Sequence, residues 1–178
     1  MLNKLTSPIG SILLFIVITV NAFYFSTEKA VVRPVDDSPT AALFASIFPD
    51  ENGEPQALSQ WQGKIVVLNF WATWCGPCRE EMPELSTLHT EYKDKNVVVL
   101  GIALDEMGAI KAFAAETPVS YPLFSAEEYG GELAANLGND KSALPYTVII
   151  KPDGTIANTY FGRISKVLLE ETLLKLLP

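Results

Sequence analysis

Seven consecutive β-prone residues, Ile65–Trp71 (IVVLNFW), give way within a few positions to a segment in which Met82, Leu85 and Leu88 recur at helical spacing. A strand that is apolar throughout must be covered on both faces, so the chain is committed to a sheet flanked by helices. The turn between strand and helix reads Trp74-Cys75-Gly76-Pro77-Cys78 and holds the only two cysteines in 178 residues. The helix is expected to open at Cys75 and to run to about Tyr92, with a kink at Pro83, which removes one backbone hydrogen bond.

A cysteine at the first turn of a helix faces free N–H groups and the positive end of the helix dipole, which favour its thiolate. Pro77 costs nothing there, because its missing N–H would have had no partner. Three residues of helix bring Cys78 back beside Cys75, within reach of a disulfide. Cys75 is therefore expected to be the exposed nucleophile and Cys78 the more buried resolving thiol. A zinc site would need further Cys or His ligands, and the only histidine is His89, expected to be solvated. A purely structural disulfide would close a tiny loop and add little stability.

The rest of the chain supplies the partners of this unit. Ala41–Phe48 is expected as a first strand, Asn52-Gly53 as a turn and Gln56–Ser59 as the returning strand. Val97–Leu104 (VVVLGIAL) is a second buried strand, followed by a short helix over Ala109–Glu116. Tyr121–Phe124 is a short extended piece, and Glu132–Leu137 a short helix ended by Gly138. Tyr146–Lys151 and Ile156–Phe161 form a hairpin around Pro152-Asp153-Gly154, and Ser165 caps a final leucine-rich helix. The arrangement is α/β with a mixed sheet.

At its N-terminus the chain is apolar from Ile9 to Phe25 (IGSILLFIVITVNAFYF). At about 1.5 Å per residue this run is at the short end of what spans a bilayer. It reads as a transmembrane anchor at residues 9–25, after a cytoplasmic stretch at residues 1–8, or as a signal peptide cleaved after Ala22. Residues 26–40, with Pro34 and Pro39, read as a linker, and residues 41–178 as the folded domain. Either reading exports the domain. A net charge of −8 with no Lys/Arg run disfavours nucleic-acid binding.

The segment GKIVVLNFWATWCGPCREEMPEL (Gly63–Leu85) resembles the TlpA/ResA type of membrane-anchored, thioredoxin-like thiol–disulfide oxidoreductases. The resemblance extends over Phe48–Phe161 and takes in FPDENGEPQALSQWQGK, VVVLGIAL and ALPYTVIIKPDGTI. It implies a thioredoxin fold with an added N-terminal β-hairpin and a central insertion, a redox role facing the envelope or periplasm, and no cofactor. It implies reduction of disulfides in exported proteins, in cytochrome c or oxidase maturation, with electrons from a membrane donor of the DsbD/CcdA type. By position, Pro145 matches the proline kept in cis beside the cysteines, and Leu144 would offer backbone groups to an extended substrate strand. Trp74, Gly76 and Pro77 belong to the same substrate-facing surface, with Trp74 covering Cys75. Trp71 fits either that surface or the core, and Trp61 reads as a packing plug. Glu81 matches the acid three residues past the second cysteine that manages protons, whereas Asn69 stands where many thioredoxins keep a buried aspartate.

The Gly76-Pro77 pair favours a reducing couple, near about −270 mV in thioredoxins against about −120 mV in a strong oxidant. A disulfide oxidase or isomerase remains open on sequence, as does a copper(I) metallochaperone, since soft thiolates suit that ion.

Overall fold

The computed structural model describes residues 38–177. The expected segments at residues 1–8 and 9–25, and most of that at 26–40, lie outside the described residues. Among the described residues no helix is long and apolar enough to cross a membrane.

Two sheets form. A hairpin pairs β1 (Ile47–Pro49) antiparallel with β2 (Pro55–Ala57). The main sheet contains β3 (Ile65–Trp71), β4 (Val97–Ala103), β5 (Leu123–Ser125), β6 (Tyr146–Ile150) and β7 (Ile156–Phe161), in the order β5-β4-β3-β6-β7. Strands β3, β4 and β5 are parallel, whereas β6 and β7 run antiparallel to their neighbours. The hairpin joins the β5 edge through a bridge between Asp50 and Phe124, and Trp61 packs its ring on Phe124 at 5.3 Å.

The expectation that β3 is covered on both faces holds residue by residue. Ile65, Val67 and Trp71 face a core shared with Met82, Leu85 and Leu88 of α2 (Gly76–Tyr92), Ile110 of α3 (Met107–Glu116), and Leu169 and Leu173 of α5 (Lys166–Leu173). Val66, Leu68 and Phe70 face a second core closed by Leu43 and Phe44 of α1 (Ala41–Ala45) and Leu133 of α4 (Glu127–Asn136). Ser165 caps α5, its hydroxyl accepting from the Leu168 N–H. Helix α2 runs unbroken through Pro83, which is exposed.

Three local expectations are corrected. Ala41–Phe48 is not a strand: alanine-rich AALFA winds into α1, as alanine's helix propensity favours, and only Ile47–Pro49 is extended. The return strand is Pro55–Ala57, after which Leu58–Trp61 turns into a 3-10 helix. Helix α4 starts at Glu127, before the expected Glu132. Gly130-Gly131 masks the helix in the sequence, but at Gly130 a side chain would meet Ala126 and Leu104 within 3.3 Å. Glycine thus lets this helix approach the end of β4 closely.

Candidate active site

Helix α2 begins where β3 delivers the chain to the C-terminal edge of the sheet. The connecting loop is pinned by Asp105, whose Oδ2 accepts the Thr73 N–H at 2.6 Å, and by the Cys75 N–H bonded to the Ala72 carbonyl at 3.1 Å. Cys75 is the helix N-cap, and its Sγ accepts the Cys78 N–H at 3.3 Å. A thiolate at this position would meet the same N–H together with the helix dipole. Cys75 and Cys78 are joined as a disulfide, S–S 1.98 Å, with their Cα atoms 5.3 Å apart. Cys75 keeps 6% of its surface and Cys78 none. Trp74 beside them is 72% exposed, and Gly76 and Pro77 are exposed as well.

One turn along α2 from Cys78, Glu81 is fully buried. Its Oε1 accepts from Asn69 Nδ2 at 2.7 Å and its Oε2 from the Ile164 N–H at 2.9 Å. Burial raises its pKa from 4.5 to about 7, against the opposing pull of those two donors and of Arg163. Its neighbour Glu80 is exposed and faces the guanidinium of Arg163 at 3.8 Å. The buried Glu81 carboxyl, one turn past Cys78, is therefore poised to take or give a proton near neutral pH.

The Leu144–Pro145 peptide bond is cis, as the sequence resemblance implied. Pro145 is buried, its carbonyl accepting the Gly162 N–H at 2.8 Å, and half-buried Leu144 packs against the core cluster that contains both cysteines. Trp71 is wholly buried and belongs to the core. His89 is not simply solvated: its Nδ1 accepts the Val99 N–H at 3.2 Å, capping a stretch of β4 that the short β5 leaves unpaired. Burial and Lys93 lower its pKa. Among the described residues no cluster of three or more His, Cys, Asp or Glu side chains could hold a metal ion.

Sequence reasoning missed Asp105, Thr147, Arg163 and Ile164. Their roles depend on strand pairing and on a loop distant in the chain, so no local pattern marks them. Asp105 alone carries a signal, standing directly after a buried strand.

Residues 39–159 match the model of the AhpC/TSA family. The ResA thiol-disulfide oxidoreductase of Bacillus thuringiensis subsp. konkukian is 35% identical over 133 residues, covering 74% of this chain and 75% of that protein. The ResA of Oceanobacillus iheyensis is 33% identical over 175 residues, covering 95% and 88%. Among solved structures, a DsbE-type thiol:disulfide interchange protein from Chlorobium tepidum superposes with a TM-score of 0.66 at 28% identity, over 75% of this chain and 93% of that one. With its Cys75–Cys78 disulfide at a strand-to-helix turn, the chain is a thiol–disulfide oxidoreductase acting on disulfide-containing proteins, and it belongs to the AhpC/TSA family as a relative of ResA.

Proposed function

We propose that the protein reduces disulfides of exported proteins, with Cys75 as nucleophile, Cys78 as resolving thiol and Glu81 as the proton acceptor for Cys78. The observation that carries this is the order of three groups on one helix: Cys75 at the N-cap, largely buried rather than exposed as expected but keeping 6% of its surface, Cys78 with none, and a buried carboxyl one turn further.

The Cys75 thiolate attacks a substrate disulfide, forming a mixed disulfide and releasing one substrate thiolate, which takes a proton from water. Cys78 then passes its proton to Glu81 and attacks Cys75 Sγ. That forms the Cys75–Cys78 bond, releases the second substrate thiolate and leaves the substrate reduced by two electrons. Trp74, Gly76 and Pro77, with the ledge at Leu144 and Pro145, would hold the substrate strand; the exposure of the first three beside the cysteines supports this.

A reductant in an oxidising compartment must be recharged, so a membrane dithiol donor of the DsbD/CcdA type is its expected partner. The apolar run at residues 9–25 favours an anchored protein with its domain facing the periplasm or exterior. The similarity to ResA and DsbE supports clients in cytochrome c or oxidase maturation.

Trapping tests the assignment. Cys78→Ser should accumulate mixed disulfides on Cys75, whereas Cys75→Ser should abolish reduction and trap nothing. Limiting alkylation of the reduced protein that labels Cys78 before Cys75 overturns the roles.

A further inference from the structure

Asn69 stands at the middle of β3, fully buried, and pairs in register with Gly101 on β4 and Thr147 on β6. Its Nδ2 donates to Glu81 Oε1 at 2.7 Å and to Thr147 Oγ1 at 3.1 Å, so both amide protons are used. Its Oδ1 is buried with no hydrogen-bond partner among the described residues. A buried carbonyl left unpaired calls for a physical reason.

The two ends of a carboxamide have nearly the same size, and a half-turn of the side chain exchanges donor for acceptor at the same points in space. An ionised Glu81 only accepts, so Nδ2 must face it. A protonated Glu81 must also donate. The Ile164 N–H is fixed by the backbone and cannot turn away from Oε2, whereas the Asn69 amide can turn, so Oε1 is the oxygen whose partner can adapt to a proton. There it meets a donor unless the amide turns. Once turned, Oδ1 accepts from Glu81 Oε1–H and from the Thr147 hydroxyl across the same two separations.

We propose that Asn69 is a positioning residue for Glu81, its amide donating to the carboxylate and turning by half a revolution to accept from the carboxylic acid. The inference rests on the reading of Glu81 as proton acceptor. When Cys78 S–H gives up its proton, the carboxylate gains it, the amide withdraws the donor that opposed it, and no electrons change hands. Asparagine does this without charge, whereas leucine offers neither end and aspartate would put a second carboxylate beside the first. The other groups bearing on Glu81 are Arg163 from the loop before α5, which opposes protonation, Glu84 three residues along α2, which favours it, and Tyr121 before β5, which feels the Glu81 charge.

The test uses the full chain with the disulfide intact, so that neither thiol titrates. The Glu81 side-chain carboxyl carbon and the Asn69 side-chain NH2 resonances are followed by NMR from about pH 4 to 9. The two should share one midpoint. Because the amide serves both forms of Glu81, Asn69→Leu should move the Glu81 midpoint by less than about half a pH unit, whereas loss of an amide that only donates would raise the proton affinity about tenfold. Thr147→Val should change the Asn69 response while leaving the fold intact. Asn69 resonances that stay unmoved through the Glu81 titration overturn the proposal, and that reading needs no variant to fold. So does a Glu81 midpoint raised by about one pH unit or more in Asn69→Leu, the mark of an amide that only donates. A Glu81→Gln variant with unaltered turnover would instead remove the catalytic reading of Glu81 and leave the Asn69 titration standing.

Discussion

Glu81 costs the fold something whenever it is charged. Its pKa is about 7 in the folded chain against an ordinary 4.5. Between those values the native state holds a proton that the unfolded chain has lost, so stability must fall as pH rises through that window and level off above it. The full span is on the order of 3 kcal/mol. Chemical denaturation of the oxidised protein at a series of pH values should trace this decline, and Glu81→Gln should flatten it. A decline that persists unchanged in Glu81→Gln assigns it to another group. Kinetically, Glu81→Gln should slow the resolving step and alter the pH profile of reduction, whereas Glu80→Gln, whose carboxylate is exposed beside Arg163, should do little. Stopped-flow measurement of mixed-disulfide decay separates the two, and equal effects would reduce Glu81 to a structural carboxyl.

Helix α2 is where sequence and site coincide, but its placement is held from outside. Three carboxylates on it hold the loop between β7 and α5: Glu80 and Glu84 face Arg163, Glu81 accepts the Ile164 N–H, and Glu84 accepts the Lys166 N–H at 2.7 Å. The same loop reaches Pro145 through Gly162. At the opposite end of the β3–α2 turn, Asp105 holds Thr73. Asp105→Ala removes a charged, partly buried acceptor, so urea denaturation should register a loss of about 1.5–3 kcal/mol, and alkylation of reduced Cys75 should slow. An unchanged alkylation rate would show that Asp105 supports only stability. Strand β3, helix α2 and the cysteine pair were legible in the sequence because burial on both faces, helical spacing and the cysteine interval are all local signals. Helix α1 was not, because five residues, Ala-Ala-Leu-Phe-Ala, are too few to show a helical period, and only the burial of Leu43 and Phe44 in the second core fixes the segment. Asp105, Thr147 and Ile164 escaped for a different reason. Each acts across the sheet or across a loop, and which backbone group lies opposite is set by pairing between strands far apart in the chain.

At the scale of the whole chain, the folded part is self-sufficient in its described contacts. Both cores are closed by residues after position 38, and Thr40 is buried with its hydroxyl donating to the Gly154 carbonyl at 2.6 Å. A chain starting at Ser38 should therefore be soluble and keep its disulfide chemistry, while the full chain, with its apolar run at residues 9–25, should be held by membranes. The prediction has three readouts. The full chain should stay with membranes after alkaline extraction. A reporter active only outside the cytoplasm, joined after Pro178, should be active. The chain starting at Ser38 should reduce a test disulfide at the same rate as the full chain in detergent, since every residue proposed for the chemistry lies beyond position 68. Recovery of a mature form beginning at Phe23 would replace the anchor with a cleaved signal peptide. An inactive reporter would remove export altogether and, with it, the need for a membrane donor: a cytoplasmic dithiol pool is already reducing, and the Cys75–Cys78 couple would then be recharged by soluble thiols.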